Sequence, residues 1–528
     1  MSGHDLDDHA GDPVVVERWL GAPALSYARR PATVLDVLDR AVRRWPDRPC
    51  LVDVDGTTVS YAGFAGRVET AAASLAARGL APGQSVAVAS GNAVDMAVAV
   101  FACARAGLVL VGLNVRLAPG QWAYVLAHSG AALALASAPH MAALRGAAGG
   151  RDAEPLADVL REAAPRPWAF RVEEQPRQDA SYAVVYTSGT TGRPKASQVV
   201  HRCSVHSAMS YQRMLALSPG DVTAVLFPLH YISAMHAHLL PAMLAGASSV
   251  LVDSTSPATY VELLARHRVS WAYAVPSWWR LCLRVRDFEG LPALARLAAG
   301  GAPFGDDLVA ALRERLPQVR LLDVYGLSET HSPACIATDE VLRARPGSVG
   351  RPLDCMQAQV RGDDGDVLPA GRPGELWLRG SLVTTGYAGD PAATAGAIVD
   401  GWFRTGDVAR ADEQGCLYIL DRTKDMINRG GNKIYSAELE ELLRRHPSIE
   451  DAAVVGVPDA LAGEAVAAFL VCAAPVEPAA VRAWVRGGLA AYAVPRRVEV
   501  LDALPRNAVG KTDKQALRER AAATARAG

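Results

Sequence analysis

Short apolar runs alternate with alanine-rich stretches along much of the chain, and this alternation restricts the fold more than any other feature. The apolar runs predict strands at 85–89, 108–113, 132–137, 183–187, 222–227, 248–252 and 271–275. Helices are predicted between them, among others at 69–80, 94–105 and 257–268. Buried strands that alternate with helices form parallel sheets covered by helices. The predicted fold class is therefore α/β, with parallel-sheet layers under helices.

The texture of the sequence changes twice toward the C-terminus. Residues 357–380 alternate apolar and polar side chains around Asp-Gly turns, which predicts antiparallel hairpins in a β-rich subdomain. Farther on, an amphipathic helix at 437–447 precedes a strand at 451–459. A chain of 528 residues exceeds what one core usually serves. We predict a large domain over 1–423 and a small, mobile α+β domain over 424–528.

Composition excludes several classes of protein. The formal net charge of −1 argues against a nucleic-acid partner, which would require a basic patch. Asp95 and Arg105 interrupt the most apolar stretch, 93–115, so a buried helix and strand are predicted there rather than a membrane span. Eight scattered cysteines without a C-x-x-C pattern, and an acidic N-terminus without an apolar signal core, favour a reduced, cytoplasmic setting.

Residues 186–196, YTSGTTGRPKA, form a loop rich in glycine and hydroxyl groups that follows a predicted strand and ends near Lys195. Backbone N–H groups, hydroxyls and a lysine together cradle phosphate oxygens, and glycine lets the backbone approach the ligand. The loop is not a Walker A motif, because Arg-Pro-Lys follows Gly192. The similar string VGKT at 509–512 fails as well, since Pro505 stands where the first glycine is needed. Composition alone leaves a plain surface loop open.

The full string resembles the phosphate loop of the acyl-adenylate-forming superfamily, in particular its acyl-CoA synthetases. Further motifs of that family follow in its order: VYGLSET (324–330), GELWLRG (374–380), GWFRTGD (401–407), DRTKDMINRGGNKIYSAELE (421–440) and PRNAVGKTDK (505–514). The resemblance implies a reaction in two halves. A carboxylate first attacks the α-phosphate of ATP and releases pyrophosphate. A thiol, that of coenzyme A or of a carrier protein, then takes the acyl group and releases AMP.

The resemblance assigns roles to individual residues of the first half. The triphosphate loop would consist of Thr187, Ser188, Gly189, Thr190, Thr191, Gly192 and Lys195. Glu329 and Thr190 would hold Mg²⁺, and Lys511 would be the catalytic lysine that contacts the acid and the α-phosphate. Adenosine would be bound by Gly301, Ala302, Pro303, Tyr325, Gly326, Thr330, Asp407 and Arg422.

The same resemblance places the second half of the reaction on the small domain. Lys424 would be the hinge about which that domain rotates between the two halves. Gly431 would lie beside the pantetheine channel of coenzyme A, where any Cβ narrows the passage, although a plain β-turn glycine is an alternative. Lys433 would contact a phosphate of coenzyme A. A carrier-loading enzyme, and a relative that performs mainly thioester formation, remain alternatives. A homodimer is a further possibility.

The acid pocket is expected around 227–240, FPLHYISAMHAHLL. This segment contains no Asp or Glu to hold an ammonium group, so the acid is predicted to be a bulky apolar, aryl, alicyclic or fatty acid rather than an amino acid. His230, Tyr231, Met235 and His331 are the expected pocket residues, and at most one of Trp278 and Trp279 should face the acid. The irregular spacing of His230, His236 and His238 argues against a metal site. Two departures from the family pattern are Ala196, where glycine is usual, and Tyr231, where histidine is frequent.

Overall fold

The computed structural model describes residues 13–162, 177–187, 194–253, 255–459, 461–506 and 511–525. Two large sheets form its centre. The six-stranded sheet has the order Lys195–Val200, Ser181–Thr187, Val109–Gly112, Ser85–Ala89, Leu133–Ala136, Ala153–Pro155. The eight-stranded sheet has the order Cys335–Ala337, Arg320–Tyr325, Arg296–Gly300, Trp271–Ala274, Val222–Val225, Ser248–Leu251, Pro49–Val52, Thr58–Ser60.

Both large sheets are mainly parallel, as the alternation predicts. Only the pair Ser181–Thr187 and Lys195–Val200 is antiparallel in the first sheet. In the second sheet only the two terminal pairs are antiparallel. The apolar stretch 93–115 contains the buried helix Val94–Arg105 and the strand Val109–Gly112, as predicted. No helix among the described residues is long and apolar enough to cross a bilayer.

Helices cover the sheets. Their bounds are Val34–Arg44, Tyr61–Ala77, Val94–Arg105, Pro119–Ser129, Met141–Ala147, Leu156–Arg161, His201–Leu215, Ile232–Ala234, Leu240–Ala245, Pro257–Arg266, Pro276–Cys282, Asp306–Arg315, Asp339–Ala344, Pro391–Ala397, Ser436–Arg444, Pro478–Gly488 and Lys514–Ala525. Between the eighth and ninth of these, Met235–Leu239 is wound as a π-helix, a form that often marks functional sites. Short 3₁₀ turns occupy Ala138–His140, Ser328–Thr330 and Ala491–Ala493.

Three smaller sheets complete the structure. Val14–Trp19 and Ala22–Tyr27 form an N-terminal hairpin. The predicted β-rich subdomain is an antiparallel sheet of Met356–Arg361, Gly374–Gly380, Ile398–Val399, Trp402–Ala411 and Leu417–Arg422. The last sheet consists of Ile427–Arg429, Asn432–Ile434, Ile449–Asp459, Gly463–Cys472 and Arg497–Val500.

The apolar cores separate near the expected hinge. Three buried clusters draw their residues from 27–417, and two others draw theirs from 427–521. None of these clusters, all built from described residues, crosses Lys424; the domain bounds 1–423 and 424–528 stay a prediction. All eight cysteines are free thiols.

Candidate active site

The carboxyl ends of three strands bring the expected residues of the large domain to one side of the sheets. Arg320–Tyr325 ends at Tyr325, Arg296–Gly300 ends beside Gly301, and Ser181–Thr187 ends at Thr187. Gly300 pairs with Val324, so the Gly301 turn and Tyr325 leave the sheet side by side. Crevices at the carboxyl ends of parallel strands are the usual ligand sites of such folds.

Asp407 is the centre of one group of contacts. Its carboxylate accepts a hydrogen bond from the Tyr325 hydroxyl at 2.6 Å and pairs with Arg422 Nε at 2.7 Å. The latter contact is built into the sheet, because Asp407 and Arg422 are opposite each other on adjacent antiparallel strands. Burial raises the pKa of Asp407, while the nearby Arg422 charge and the Tyr325 hydrogen bond oppose that rise. The three predicted nucleotide-binding side chains therefore lie together.

Lys511 reaches the same place from the C-terminal part of the chain. A Cβ built on Gly301 would lie 3.2 Å from Lys511 Cε and 3.5 Å from Nζ, which is a close approach, and the φ of +78° at Gly301 favours glycine. The residue as a whole is exposed, while its Nζ lies close to the Gly301 turn. Desolvation lowers the pKa of Lys511, as does the Arg422 charge, and Asp407 acts in the opposite direction.

Glu329 is held by a tyrosine that the sequence motifs do not include. The Tyr387 hydroxyl donates to Glu329 Oε1 at 2.9 Å, and Lys195 Nζ lies 4.9 Å from the centre of the Tyr387 ring. Burial and the Glu329 charge raise the pKa of Tyr387, so the phenol keeps its proton and remains a donor. Tyr387 thus joins the predicted magnesium ligand to the lysine at the end of the phosphate loop.

The remaining residues predicted around the nucleotide differ in what they present to a ligand. Ala302 and Pro303 are exposed beside Gly301. Thr330 is fully buried, and its hydroxyl bonds to the backbone of Leu327, so it stabilises the Ser328–Thr330 turn. A Cβ on Gly326 would lie 3.1 Å from Ser332 Cα, which shows why the loop requires a small residue.

Most of the phosphate loop lies outside the described residues. This applies to the predicted ligands Ser188, Gly189, Thr190, Thr191 and Gly192. The two ends of the loop are described: the Thr187 hydroxyl is 3.5 Å from the Lys195 carbonyl oxygen on the paired strand. Ala196 is buried in an apolar cluster, and its carbonyl accepts the Ala388 N–H at 2.8 Å. The methyl group that distinguishes it from glycine is therefore accommodated by packing.

His230 and Tyr231 line a small cavity of about 30 Å³ beside the strands Val109–Gly112 and Ser181–Thr187 of the six-stranded sheet. The Tyr231 hydroxyl accepts a hydrogen bond from Asn114 Nδ2 at 2.9 Å. Burial, with Arg116 nearby, lowers the pKa of His230 to about 4, and its Nε2 has no partner among the described residues. Met235 is buried in the main apolar core.

His331 is a support for the backbone. Its Nε2 accepts the Val200 N–H at 2.9 Å and its Nδ1 donates to the Leu382 carbonyl at 3.0 Å. Both ring nitrogens are thereby used, so any contact of His331 with an acid would involve ring carbons only. His236 in turn bonds through Nδ1 to the His331 carbonyl at 2.9 Å.

The tryptophan pair is packed away from these contacts. Trp279 is fully buried and donates from its indole nitrogen to the Ala298 carbonyl at 2.8 Å. Trp278 is half-buried and packs edge-on against Tyr260. Trp279 belongs to the second apolar core, and Trp278 packs against that core.

The residues predicted for the second half-reaction lie on the surface in this pose. Gly430 and Gly431, both with positive φ, form the turn of the hairpin Ile427–Ile434, and a Cβ on Gly431 would meet no atom within 4 Å. Lys433 Nζ lies 3.6 Å from Asp363, on an exposed part of the large domain. The Lys424 carbonyl accepts a hydrogen bond from Arg518 at 3.3 Å.

A buried polar network, absent from the sequence-based assignment, lies next to Lys424. Asp421 accepts hydrogen bonds from the backbone N–H and the hydroxyl of Ser436, the latter at 3.1 Å. Lys514 Nζ donates to Ser436 Oγ at 2.6 Å and pairs with Glu440 at 2.7 Å. The network joins the strand Leu417–Arg422 to two helices of the small domain. The second lysine of GKTDK was its only signal in the sequence.

Comparison with known proteins agrees with this arrangement. Residues 38–388 match the family described as AMP-binding enzyme, and residues 438–511 match the AMP-binding enzyme C-terminal domain. A feruloyl-CoA synthase of an Amycolatopsis species is 33% identical over 471 residues, which cover 88% of this chain and 94% of the relative.

Solved structures give the same result at the level of the fold. The o-succinylbenzoate CoA synthetase MenE of Bacillus subtilis, in complex with the acyl-adenylate intermediate OSB-AMP, is 29% identical with a TM-score of 0.81, covering 92% of this chain and 97% of its own. Another structure of that enzyme contains ATP and a magnesium ion. The amide bond synthetase McbA of Marinactinospora thermotolerans is 29% identical with a TM-score of 0.83, covering 93% and 99%.

Proposed function

The chain belongs to the AMP-binding enzyme family, as an AMP-forming acid–CoA ligase, and on that premise we propose that it activates a bulky carboxylic acid without an α-amino group. The observation that carries the proposal is the meeting of Lys511 with Gly301, Asp407 and Arg422 in one cleft. Charge-stabilising and nucleotide-binding groups from distant parts of the chain converge there.

In the first half-reaction, a carboxylate oxygen of the acid bonds to the α-phosphorus of ATP and pyrophosphate leaves. Two anions must approach each other, so the site needs fixed positive charge. Lys511 supplies an ammonium group in the cleft, and Lys195 supplies another beside the phosphate loop. Asp407 can accept both ribose hydroxyls with its two carboxylate oxygens, while Arg422 and Tyr325 hold that carboxylate in place.

The residues near Glu329 fit a magnesium ion that is bound mainly by phosphates. The described residues contain no group of three or more His, Cys, Asp or Glu that could hold a metal. A single hard carboxylate oxygen suffices for Mg²⁺ shared with a nucleotide. Glu329 offers such an oxygen, and Tyr387 fixes the carboxylate by a hydrogen bond to Oε1. The ion, when bound, would neutralise phosphate charge; Thr190, its second predicted ligand, lies outside the described residues.

In the second half-reaction, the thiol sulfur of coenzyme A bonds to the acyl carbon, the bond to the AMP oxygen breaks, and the thiol proton is released. We propose that rotation about Lys424 removes Lys511 and brings the Gly431 hairpin to the acid. In the present pose no atom lies within 4 Å of a Cβ built on Gly431. This turn is therefore free to pack against the large domain after the rotation. Lys433 would leave the exposed Asp363 and bind a phosphate of coenzyme A instead.

The nature of the acid follows from what the segment 227–240 lacks. It has no carboxylate to balance a substrate ammonium group, and His230 is held neutral by burial. An amino acid would therefore find no counter-ion for its ammonium group in this segment, and an unpaired buried charge is costly. A bulky aryl, alicyclic or fatty acid brings no such charge.

The test is an assay of both half-reactions over a panel of acids. Trapping of the acyl-adenylate with hydroxylamine reports the first, and acyl-CoA formation reports the second. We expect bulky non-amino acids to give both products and proteinogenic amino acids to give neither. Robust turnover of any amino acid would contradict the proposal. Saturation by a pantetheinylated carrier protein but not by coenzyme A would indicate a carrier-loading enzyme, and turnover of preformed adenylate alone would indicate a thioester-forming specialist.

A further inference from the structure

A band of buried hydroxyl groups lies directly behind the cleft wall formed by Gly300 and Gly326. The Tyr211 hydroxyl is 3.3 Å from Ser332 Oγ. The Tyr273 hydroxyl interacts with those of Tyr211 and Ser233. The four residues come from two helices, a strand and a loop that are distant in sequence: His201–Leu215, Ile232–Ala234, Trp271–Ala274 and the segment after Thr330.

The position of this band relative to the catalytic lysine is set by glycines. A Cβ on Gly300 would lie 2.5 Å from the Tyr273 hydroxyl oxygen, and Gly300 directly precedes the Gly301 turn that contacts Lys511. At the other end, a Cβ on Gly326 would lie 3.1 Å from Ser332 Cα. The Cβ on Gly300 would also lie 2.5 Å from the Val324 carbonyl oxygen, so glycine at 300 lets both the neighbouring strand and the Tyr273 hydroxyl approach the chain just before the Gly301 turn.

The band has hydrogen-bonding capacity to spare. Each hydroxyl has one proton to donate and can accept two bonds. Within the described part of the chain, the side-chain hydrogen bonds of these four oxygens are made only to one another. Contacts in the order Ser233, Tyr273, Tyr211 and Ser332 would use three of the four protons and leave lone pairs unused. Burying such capacity is unfavourable unless a partner satisfies it.

One end of the band is accessible. Tyr211 is fully buried, and Tyr273 and Ser332 are 3% and 7% exposed, whereas Ser233 is only half-buried. Ser233 lies two residues after Tyr231 in the segment expected to border the acid. The band therefore extends from a half-buried serine in the segment expected to border the acid to buried hydroxyls in the core.

Resting on the proposed function, we propose that Ser233, Tyr273, Tyr211 and Ser332 recognise a hydrogen-bonding oxygen, a hydroxyl or a keto group, on the body of the acid distant from its carboxylate. The carboxylate lies at Lys511, and the body of the acid passes the Gly301 turn toward the band. The substrate is then an oxygenated aryl or alicyclic acid rather than a plain hydrocarbon acid. An acid lacking the oxygen would leave the band unsatisfied, and sites of this kind reject such analogues strongly.

The experiment compares paired acids that differ by one oxygen: cinnamic with hydroxycinnamic acids, naphthoic with hydroxynaphthoic acids, and a cyclohexylpropanoic acid with its keto derivative. Adenylation is measured as pyrophosphate release, with kcat and KM determined separately. We expect at least one oxygenated acid to exceed its parent by about 10-fold or more in kcat/KM. Tyr273→Phe, Tyr211→Phe and Ser332→Ala should each lower that ratio by at least about threefold, mainly through the KM of the oxygenated acid.

Tyr260→Phe is the matched control. Tyr260 is also fully buried and its hydroxyl has no partner among the described residues, but it packs against the tryptophan pair of the second core. Its removal should leave the ratio unchanged. The inference would be overturned if kcat/KM of the oxygenated acid did not exceed that of its parent in any pair. It would also be overturned if all three variants kept the wild-type preference for the oxygenated acid. If one variant fails to fold, the other two decide. Absence of adenylation with every acid would instead refute the proposed function, and this inference with it.

Discussion

Tyr387 offers a test in which two contacts of one side chain can be removed separately. Tyr387→Phe deletes the hydroxyl that donates to Glu329 at 2.9 Å and keeps the ring beneath Lys195. Tyr387 and Glu329 are 8% and 9% exposed, so water replaces the lost donor poorly. A hydrogen bond to a charged group contributes about 1.5–3 kcal/mol. If the Glu329 carboxylate is needed in position for adenylation, kcat/KM should fall about 10- to 150-fold.

Tyr387→Ala removes the ring as well. The cation–π contact adds about 0.5–1 kcal/mol at a partly exposed site, so a further two- to fivefold loss is expected. Pyrophosphate release gives the rates, and a magnesium titration of fluorescent-nucleotide binding should shift to higher concentrations in both variants. Tyr418→Phe is the control, because that ring also packs under an arginine, Arg410, at 3.9 Å, but away from the cleft. A loss below about threefold in Tyr387→Phe, with an unshifted titration, would refute the role assigned to the hydroxyl.

Three further predictions concern the division of labour between the two half-reactions. In Lys511→Ala the rate of adenylation should fall about 10²- to 10³-fold, as expected for the loss of one preorganised charge contact. The variant should keep most of its thioester formation from supplied acyl-adenylate and coenzyme A. An equal loss in both half-reactions would contradict this. Since desolvation lowers the pKa of Lys511 below its usual 10.5, the charged form is lost as pH rises through that lowered value. Adenylation should therefore decline at a lower pH than an exposed lysine would give, and Lys511→Arg, which keeps its charge, should be slower but free of that decline. Gly431→Leu should form adenylate but not acyl-CoA. Gly463→Leu is the control: φ is 77° at Gly463 and 85° at Gly431, so both variants carry similar backbone strain, but Gly463→Leu should keep both activities. Thioester formation by Gly431→Leu would show that Gly431 is only a turn residue.

The parallel sheets could be predicted from the sequence because burial on both faces leaves continuous apolar runs. Most predicted strands, such as 85–89, are present within one or two residues. The pairing of these strands could not be predicted in the same way. Pro49–Val52 pairs with Ser248–Leu251, and nothing local in either run specifies so distant a partner. The N-terminal hairpin Val14–Tyr27 was missed as well.

The candidate site likewise contains residues that could be predicted from local sequence and residues that could not. Residues inside contiguous motifs, such as Asp407 and Lys511, could be proposed from the motif alone, and the structure brings them close together. Their roles stay predictions. Tyr387 was missed because it lies beyond the GELWLRG motif and acts only through contacts with distant residues. The polar residues of the helix His201–Leu215 had no interpretable pattern in sequence. They occupy all sides of a buried helix, and their partners come from several other segments.

The network of Asp421, Ser436, Lys514 and Glu440 has a consequence for the timing of the cycle. If the small domain turns at Lys424, as proposed, Asp421 stays on its strand in the large domain while Ser436 and Lys514 move away. Asp421 is only 6% exposed, and a carboxylate stripped of such partners is costly. The rotation would then have to break these contacts before others could replace them, which would favour two preferred positions over a continuous range. The network would in this way stabilise the pose with Lys511 in the cleft without contacting either substrate.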